Sequence, residues 1–268
     1  MNLLQRALIE KAGHDNGFEN VLPGMAGGWL TLGSARHATT VSVQASAGGF
    51  GARLLSSPPS LPGELARSFT AEIGAADPPT TAYLLADEAA LARWLRRAAA
   101  LALALPNQAM TAFVADVQAA LASLEPAAAK NTEVQRMVRQ RVGQQAFRQA
   151  MLDYWQGSCA VTGLALPQAL KASHAKAWAL CTEDAERLDV FNGFLLSANL
   201  DAMFDSYLAS FADDGALLIA PTVPPAAREQ LGLTEDLQLR WVAAQHLPYL
   251  AFHRAQCTWL AQRKTDTG

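Results

Sequence analysis

The stretch NGFLLSANLDAMFD, residues 192–205, constrains the fold more than any other part of the chain. Its first five residues predict a turn that leads into a short apolar strand, and NLDAMFD predicts the first turns of a helix. Asp201 and Asp205 are four residues apart and therefore share one face of that helix. A histidine, His174, lies eighteen residues before the stretch. Such a junction is compatible with a metal-dependent active site and also with an ordinary capped helix.

Composition narrows the class of protein. The chain has 268 residues, of which 51% are hydrophobic and 17% charged, so it can bury the core of one large domain or two modest ones. A net charge of -3 does not indicate nucleic-acid binding, and any site for a polyanion must therefore be local. Three cysteines without paired spacing argue against disulfides, and we recognise no secretory signal or membrane-spanning run. We expect a soluble, cytoplasmic protein with no membrane partner.

The first 125 residues predict a mixed module. Alternating apolar residues and flanking glycines indicate a small antiparallel sheet. The segments with this pattern are GGWLTLGSARH, TTVSVQA and GARLLSS, and ADPPTTAYLLA predicts a loop and a further strand. Helices are predicted over 4–13, over 64–74 and in a helical connector, DEAALARWLRRAAALALAL followed by AMTAFVADVQAALASL, with Asp87 as an N-cap. The fold class is therefore α+β, and this module is a candidate recognition or targeting domain.

A polar segment, EPAAAKNTEV, predicts a linker, which divides the chain into domains 1–125 and 126–268. The second domain begins with a helix, EVQRMVRQRVGQQAFRQAMLDYWQ. Strands are predicted in GSCAVTG, around His174 and in QLRWVA, a hairpin is predicted to turn at Asp214-Gly215, and a last helix covers 247–264. Charge is uneven here: residues 130–178 hold seven bases and two acids, whereas residues 183–214 hold eight acids and one base.

Four segments of the second domain occur in an order that carries a family resemblance. They are RVGQQAFR, SCAVTG, ASHAKAW, and NGFLLSANLDAMFD followed by SYLASFADDG. Together they resemble the HNH (ββα-metal) endonucleases, in the branch found in bacterial restriction and phage-defence systems. The resemblance covers about residues 136–215 and extends towards HRAQCTWL, and it does not touch the first 125 residues. It implies a C-terminal ββα-metal nuclease domain.

The resemblance implies catalytic roles for His174 and Asn192. Hydrolysis of a phosphodiester requires a base that deprotonates water, and an imidazole has an ordinary pKa of about 6.5. The family's general base falls on His174, and the family's asparagine, which orients that histidine, falls on Asn192. The alternative for His174 is a satisfied core histidine. Asn192 can also be explained by the backbone of an Asn-Gly turn.

The third family position falls on Asp201, where most relatives have a histidine that binds the metal. A carboxylate is a hard ligand that suits Mg²⁺ or Mn²⁺, so the change predicts a shift in metal preference away from Zn²⁺ and Ni²⁺. Ser173 and Asp205 are candidate further ligands, although Asp205 is also explained by a structural role beside the following hairpin. Many relatives bind a structural zinc through two CxxC pairs. Only Cys159 remains of those four thiols, so we predict no structural zinc and a buried Cys159.

Basic and amide side chains near this motif are candidates for contact with the DNA backbone. Arg141, Gln144 and Arg148 are spaced by three and four residues on one helix. Lys176 lies two residues after His174, which predicts the same side of a strand. The alternative for each is a solvated basic face.

These features predict a metal-dependent DNA endonuclease or nickase of restriction or anti-phage defence. One such site cuts one strand, so a double-strand break would need a dimer or two independent nicks, and we expect a monomer or a homodimer. DNA is the expected partner, and other subunits of a defence system are further candidates. Two alternatives remain: a DNA-binding or complex-forming defence subunit with a degenerate, inactive core, and an RNA-cleaving toxin.

Overall fold

The computed structural model describes residues 1–23, 27–69, 82–106 and 108–260. It divides into two compact units, residues 1–108 and 109–268. The segment predicted as a linker is largely helical, because it holds helix α5 (Pro126–Ala129) and the start of helix α6 (Thr132–Tyr154). The division into domains at residue 125 stays a prediction.

The first unit contains the predicted antiparallel sheet. Its strands, paired in sequence order, are β1 (Asn20–Leu22), β2 (Leu30–Gly33), β3 (Thr40–Ser46), β4 (Gly49–Ser56) and β5 (Tyr83–Leu85). Its helices are α1 (Leu3–Asp15), α2 (Leu61–Ser68) and α3 (Glu88–Ala104). The helix predicted over 64–74 corresponds to α2, and its last residues, with the loop predicted after them, lie outside the described residues.

Helix α3 begins where its sequence predicts. The Asp87 side chain accepts a hydrogen bond from the backbone N–H of Ala90 at 2.7 Å, which satisfies one of the donors that a helix N-terminus leaves free. The apolar face of the helix is buried through Leu91, Trp94 and Leu95. Within the described residues no single helix is long and apolar enough to cross a membrane.

The second unit places a strand pair and a helix at its centre. Its elements are α4 (Gln108–Ala122), α5, α6, β6 (Leu170–His174), α7 (Asp184–Arg187), β7 (Gly193–Ser197), α8 (Ala198–Asp205), β8 (Ala209–Phe211), β9 (Leu217–Ile219), α9 (Pro225–Gln230) and α10 (Leu247–Gln256). Strands β6 and β7 pair antiparallel, and β7 runs directly into α8. The strand-to-helix junction predicted in NGFLLSANLDAMFD is therefore confirmed, as is the α+β class. The hairpin predicted at Asp214-Gly215 is β8–β9.

Two predicted strands of this unit are absent from the described structure. Residues 157–163, GSCAVTG, form a compact turn, which is closed by hydrogen bonds from Cys159 N to Leu164 O and from Gly163 N to Cys159 O. Residues 238–243, QLRWVA, pair only at an isolated bridge between Ala216 and Gln238. The predicted last helix contains α10, which ends at Gln256, and residues 261–264 of its predicted range lie outside the described part of the chain.

Aromatic packing holds β7 and α8 in place. Phe194 on β7 meets Phe204 on α8 edge to face, with ring centroids 6.0 Å apart, and both rings are buried. His253 on α10 stacks on Phe204 at 3.7 Å, and its Nε2 lies 3.1 Å from the Phe204 carbonyl oxygen. Interdigitated rings of this kind contribute beyond the area they bury, so the helix that carries Asp201 has a fixed position.

Candidate active site

The asparagine-glycine pair at residues 192 and 193 allows β6 and β7 to approach closely. Gly193 lies opposite His174 in the strand register, and Phe194 lies opposite Ser173. A Cβ atom at position 193 would lie 2.0 Å from the Ser173 carbonyl oxygen, closer than any side chain can come. Glycine at this position therefore brings the end of β6, with its histidine, against the start of β7.

His174 is held by its neighbours on three sides. Its Nε2 lies 2.9 Å from the carbonyl oxygen of Arg187, and its ring stacks on Phe147 with centroids 3.7 Å apart. Trp178 meets the ring edge to face at 5.9 Å. Because a carbonyl oxygen can only accept, Nε2 carries the proton, and Nδ1 of the neutral ring keeps a lone pair.

Burial lowers the pKa of His174 to about 4, although the hydrogen bond to Arg187 O acts in the opposite direction. Desolvation disfavours the charged imidazolium, so the ring is neutral near pH 7. A neutral imidazole with a fixed orientation and a free nitrogen is the form in which a histidine acts as a general base.

We expect this lowered pKa to be visible in a titration of the free protein. The folded-state value of about 4 lies below the ordinary 6.5, so the imidazole should remain neutral while the pH falls from 7 to about 5 and gain its proton only near pH 4. Histidine C–H resonances followed by NMR, assigned with His174→Ala, measure the midpoint. A midpoint near 6.5 would contradict the buried, neutral base.

Asp201 and Asp205 lie one turn apart on α8, which packs on β6. Asp201 Oδ1 accepts a hydrogen bond of 2.5 Å from the buried hydroxyl of Ser173. Partial burial, and then the negative charge of Asp201, raise the pKa of Asp205. The two carboxylates are therefore close enough to repel each other, and a bound cation would relieve that repulsion.

A pocket of about 530 Å³ gathers most of the predicted residues. Its walls are formed by Gln144, Phe147, Arg148, Gln168, Leu170, Lys171, Ala172, His174, Trp178, Asp201 and Asp205. His174, both aspartates, Gln144 and Arg148 thus meet in one place, although they come from three separate elements. Ser173 reaches the pocket only through its bond to Asp201. Asn192, Arg141 and Lys176 do not line it.

Asn192 is completely buried and ties together the loop that precedes it. Its Oδ1 accepts from the Lys176 N–H at 2.8 Å, and its Nδ2 donates to the Glu186 carbonyl at 2.9 Å. Nδ2 also lies 3.4 Å from the Cys181 sulfur. The loop continues to Arg187, whose carbonyl holds His174, so the asparagine supports the histidine indirectly through the backbone.

Asn192→Ala is expected to lower the free energy of unfolding by about 2–4 kcal/mol, because it removes a fully buried side chain and leaves the part-buried Lys176 N–H and Glu186 carbonyl without this partner. Urea unfolding of the full chain measures the change. The matched control is Asn20→Ala on exposed β1, which should change stability by less than about 0.5 kcal/mol. Equal effects of the two substitutions would show that Asn192 does not hold the loop.

The candidate DNA-binding residues are distributed differently from the prediction. Arg148 lines the pocket, but it donates hydrogen bonds to the carbonyl oxygens of Leu170 at 2.7 Å and Pro167 at 2.8 Å. Its guanidinium thus clamps the start of β6. Arg141 is exposed on α6 outside the pocket, and Gln144 is exposed within it.

The placement of Lys176 on the same strand side as His174 is wrong. Strand β6 ends at His174, and the chain bends before Lys176. The Lys176 ammonium pairs with Glu186 Oε1 at 2.5 Å and lies 5.5 Å from the Phe252 ring. The Lys176 charge is therefore paired with the Glu186 carboxylate and the Phe252 ring, outside the pocket.

Several wall residues were missed in the sequence. Trp178 packs against Gly143 of α6, where a Cβ atom would lie 2.2 Å from the indole. These two residues are far apart in the sequence, so no local pattern predicts their contact. Phe147 follows Gln144 by three residues, so helical periodicity could have placed it beside the pocket. Lys171 lies two residues before Ser173 on the same face of β6, so it could have been identified once that strand was recognised.

The donor set of the pocket fits a hard divalent cation. Two carboxylates and a serine hydroxyl offer oxygen atoms, and Mg²⁺ is commonly held by one or two carboxylates together with water and substrate phosphate. Within the described residues, three or more His, Cys, Asp or Glu side chains nowhere gather in an arrangement able to hold a metal. Cys159 is buried, as predicted, and its sulfur accepts the Thr162 N–H at 3.5 Å.

Comparison with known proteins finds a family match for the part of the chain that carries most of this pocket's wall. A family model described as HNH endonuclease matches residues 159–212, which include β6, β7, α8 and β8. No curated protein matches the chain. The match contains His174, Asn192 and Asp201, and it corresponds to the part of the chain where strand, strand and helix meet. Residues 159–212 therefore form an HNH endonuclease domain, and the chain carries this nuclease domain in its second half.

Proposed function

We propose that the protein is a metal-dependent DNA endonuclease or nickase that hydrolyses phosphodiester bonds. One observation carries the proposal: a fixed, neutral His174 and the carboxylates of Asp201 and Asp205 line the same pocket. This is the combination that hydrolysis of a phosphodiester requires, namely a base for water and a place for a cation beside the phosphate.

His174 activates the nucleophile in this proposal. Its Nδ1 takes a proton from water as the water oxygen bonds to phosphorus and the bond from phosphorus to one sugar oxygen breaks. That oxygen leaves with the bonding pair and takes up a proton from solvent, and the imidazolium that forms keeps its Nε2–H bond to the Arg187 carbonyl. The stacked Phe147 ring holds the imidazole in the orientation that the proton transfer needs. Because the bond to the carbonyl is made in the resting site as well, little reorganisation accompanies the transfer.

Asp201 and Asp205 would hold the divalent ion, and Ser173 fixes one oxygen of Asp201. When bound, such an ion supplies a positive charge that stabilises the phosphate and the leaving oxygen. Carboxylates favour Mg²⁺ or Mn²⁺ over the softer ions that histidine binds well. The preference for these two ions is therefore part of the proposal.

The biological setting follows from the resemblance of the motifs to restriction and phage-defence nucleases. We place the protein in the cytoplasm, with DNA as its substrate and with other defence subunits as candidate partners. Residues 1–125 are proposed as the recognition or targeting domain. A single site nicks one strand, and a homodimer would be needed for a concerted double-strand cut.

A comparison of substrates tests this function. Supercoiled plasmid, linear duplex and single-stranded RNA are incubated with the protein and Mg²⁺ or Mn²⁺. We expect conversion of the plasmid to open circles and little cleavage of the RNA. Preferential cleavage of the RNA would replace this proposal with an RNA-cleaving toxin.

A second candidate function is a DNA-binding defence subunit with a degenerate core. The observation in its favour is the carboxylate at Asp201, where a histidine is usual, in a described structure without a three-residue ligand cluster. Binding of duplex DNA without cleavage under any divalent ion would favour this candidate over the nuclease.

A further inference from the structure

The pocket contains a cationic side chain that neither the motif nor the family match assigns. Lys171 lies on β6, is exposed, and forms part of the pocket wall. Its ammonium forms no ion pair or hydrogen bond with any of the described residues. The other cation in the wall, Arg148, has two of its donors engaged by backbone carbonyls.

The strand geometry places Lys171 on the side of the sheet that faces the carboxylates. Successive side chains of a strand point to opposite faces, so Lys171 and Ser173 share one face of β6. Ser173 contacts Asp201 on that face. The backbone of Lys171 therefore lies about 6–7 Å along the strand from that of Ser173, by the rise of two residues.

The pocket wall carries both signs of charge, because the free Lys171 ammonium and the carboxylates of Asp201 and Asp205 all line it. Lys171 could have formed an ion pair with Asp205, which lines the same pocket, but no such pair is present among the described residues. A nucleic-acid backbone offers the complementary arrangement, because its phosphates carry one negative charge at each nucleotide. One phosphate can meet the metal end of the pocket while a neighbouring phosphate meets the lysine.

We propose that Lys171 binds a backbone phosphate of the DNA substrate and that Lys176 does not. The proposal rests on the proposed nuclease function and names the contact by which that site holds its substrate. Lys176 is excluded from this role because its ammonium is paired with Glu186 at 2.5 Å and does not line the pocket. Lys171 acts on affinity without reading sequence, as phosphate contacts do.

The test is the salt dependence of DNA binding, measured in EDTA so that no cleavage occurs. Anisotropy of a short fluorescein-labelled duplex of mixed sequence gives the dissociation constant over a series of KCl concentrations. For Lys171→Met we expect weaker binding and a slope of log K against log salt that is smaller by about 0.9, the contribution of one phosphate contact. Lys171→Arg should restore the wild-type slope.

Two control variants make the outcome decisive. Lys130→Met removes an equally exposed lysine that does not line the pocket, and it should leave the slope unchanged. Lys176→Met should also leave the slope unchanged, and a reduced slope for this variant instead of Lys171→Met would overturn the assignment.

Failure of the assignment is distinguishable from failure of the nuclease proposal. If the wild type nicks plasmid but Lys171→Met keeps the wild-type slope, the site is a nuclease and the lysine contact is wrong. If the wild type neither binds the duplex nor nicks plasmid, both proposals are overturned. Because Lys171 is exposed and unpaired, the substitution should not affect folding, and a thermal melt of each variant checks this.

Discussion

Replacing His174 with alanine is expected to lower the rate of plasmid nicking by about 10²- to 10⁴-fold, the usual contribution of a general base. The substitution removes the nitrogen that accepts the proton of water. It leaves the carboxylates of α8 untouched, so metal and DNA should still bind. The rate should therefore fall at saturating DNA, and the concentration of DNA needed for half-maximal rate should change little.

His14→Ala is the matched control, because His14 is an exposed histidine of α1 in the other unit. It should nick plasmid at the wild-type rate. A His174→Ala protein that is folded, binds DNA and nicks at the wild-type rate would remove His174 from the mechanism. The alternative of a satisfied core histidine would then be the better account of this residue.

Asp201→Asn is expected to reduce nicking by about 10²-fold or more, because a carboxylate that holds a catalytic ion contributes several kcal/mol to transition-state stabilisation. Asparagine keeps the shape of the side chain and can still accept the Ser173 hydroxyl bond. A loss of nicking activity in this variant would therefore be due to the missing negative charge at position 201. Nicking rates over a Mg²⁺ titration separate a weaker metal affinity from a slower chemical step.

Asp116→Asn supplies the control for removal of an exposed carboxylate outside the pocket, and it should be silent. Asp205→Asn tests the second carboxylate separately. Asp201→His, which restores the usual letter of the motif, should shift the preferred ion from Mg²⁺ towards Ni²⁺ or Zn²⁺. Full activity of Asp201→Asn with Mg²⁺ would contradict the assignment of Asp201 as a metal ligand.

The central part of the site could be predicted from sequence because its signals are local. The Asn-Gly pair at 192–193 predicts the turn into an apolar strand, and the four-residue spacing of Asp201 and Asp205 places both on one face of the following helix. The family match at residues 159–212 agrees with the HNH resemblance that these motifs carry. Predictions from such short-range patterns hold in the structure because neighbouring residues determine the turn, the strand and the helix.

Other features could not be predicted because they depend on contacts between distant parts of the chain. Lys176 was placed by strand alternation, but the strand ends at His174 and Glu186 captures the ammonium. The segment GSCAVTG has the composition of a strand, yet Cys159 and Gly163 close it into a turn. Alternation of side chains places residues on one face only while the chain stays extended. A single local pattern does not show at which residue the strand ends.

Plasmid nicking by the wild type and by His174→Ala, each assayed with Mg²⁺, with Mn²⁺ and with EDTA, tests the central claim most directly. We expect open circles from the wild type with either ion and none in EDTA. We expect none from the variant, and because it is prepared in the same way, this result excludes a contaminating nuclease. Nicking that is equal in wild type and variant, or a wild type that binds duplex DNA but cuts it under no divalent ion, would contradict a working metal-dependent nuclease.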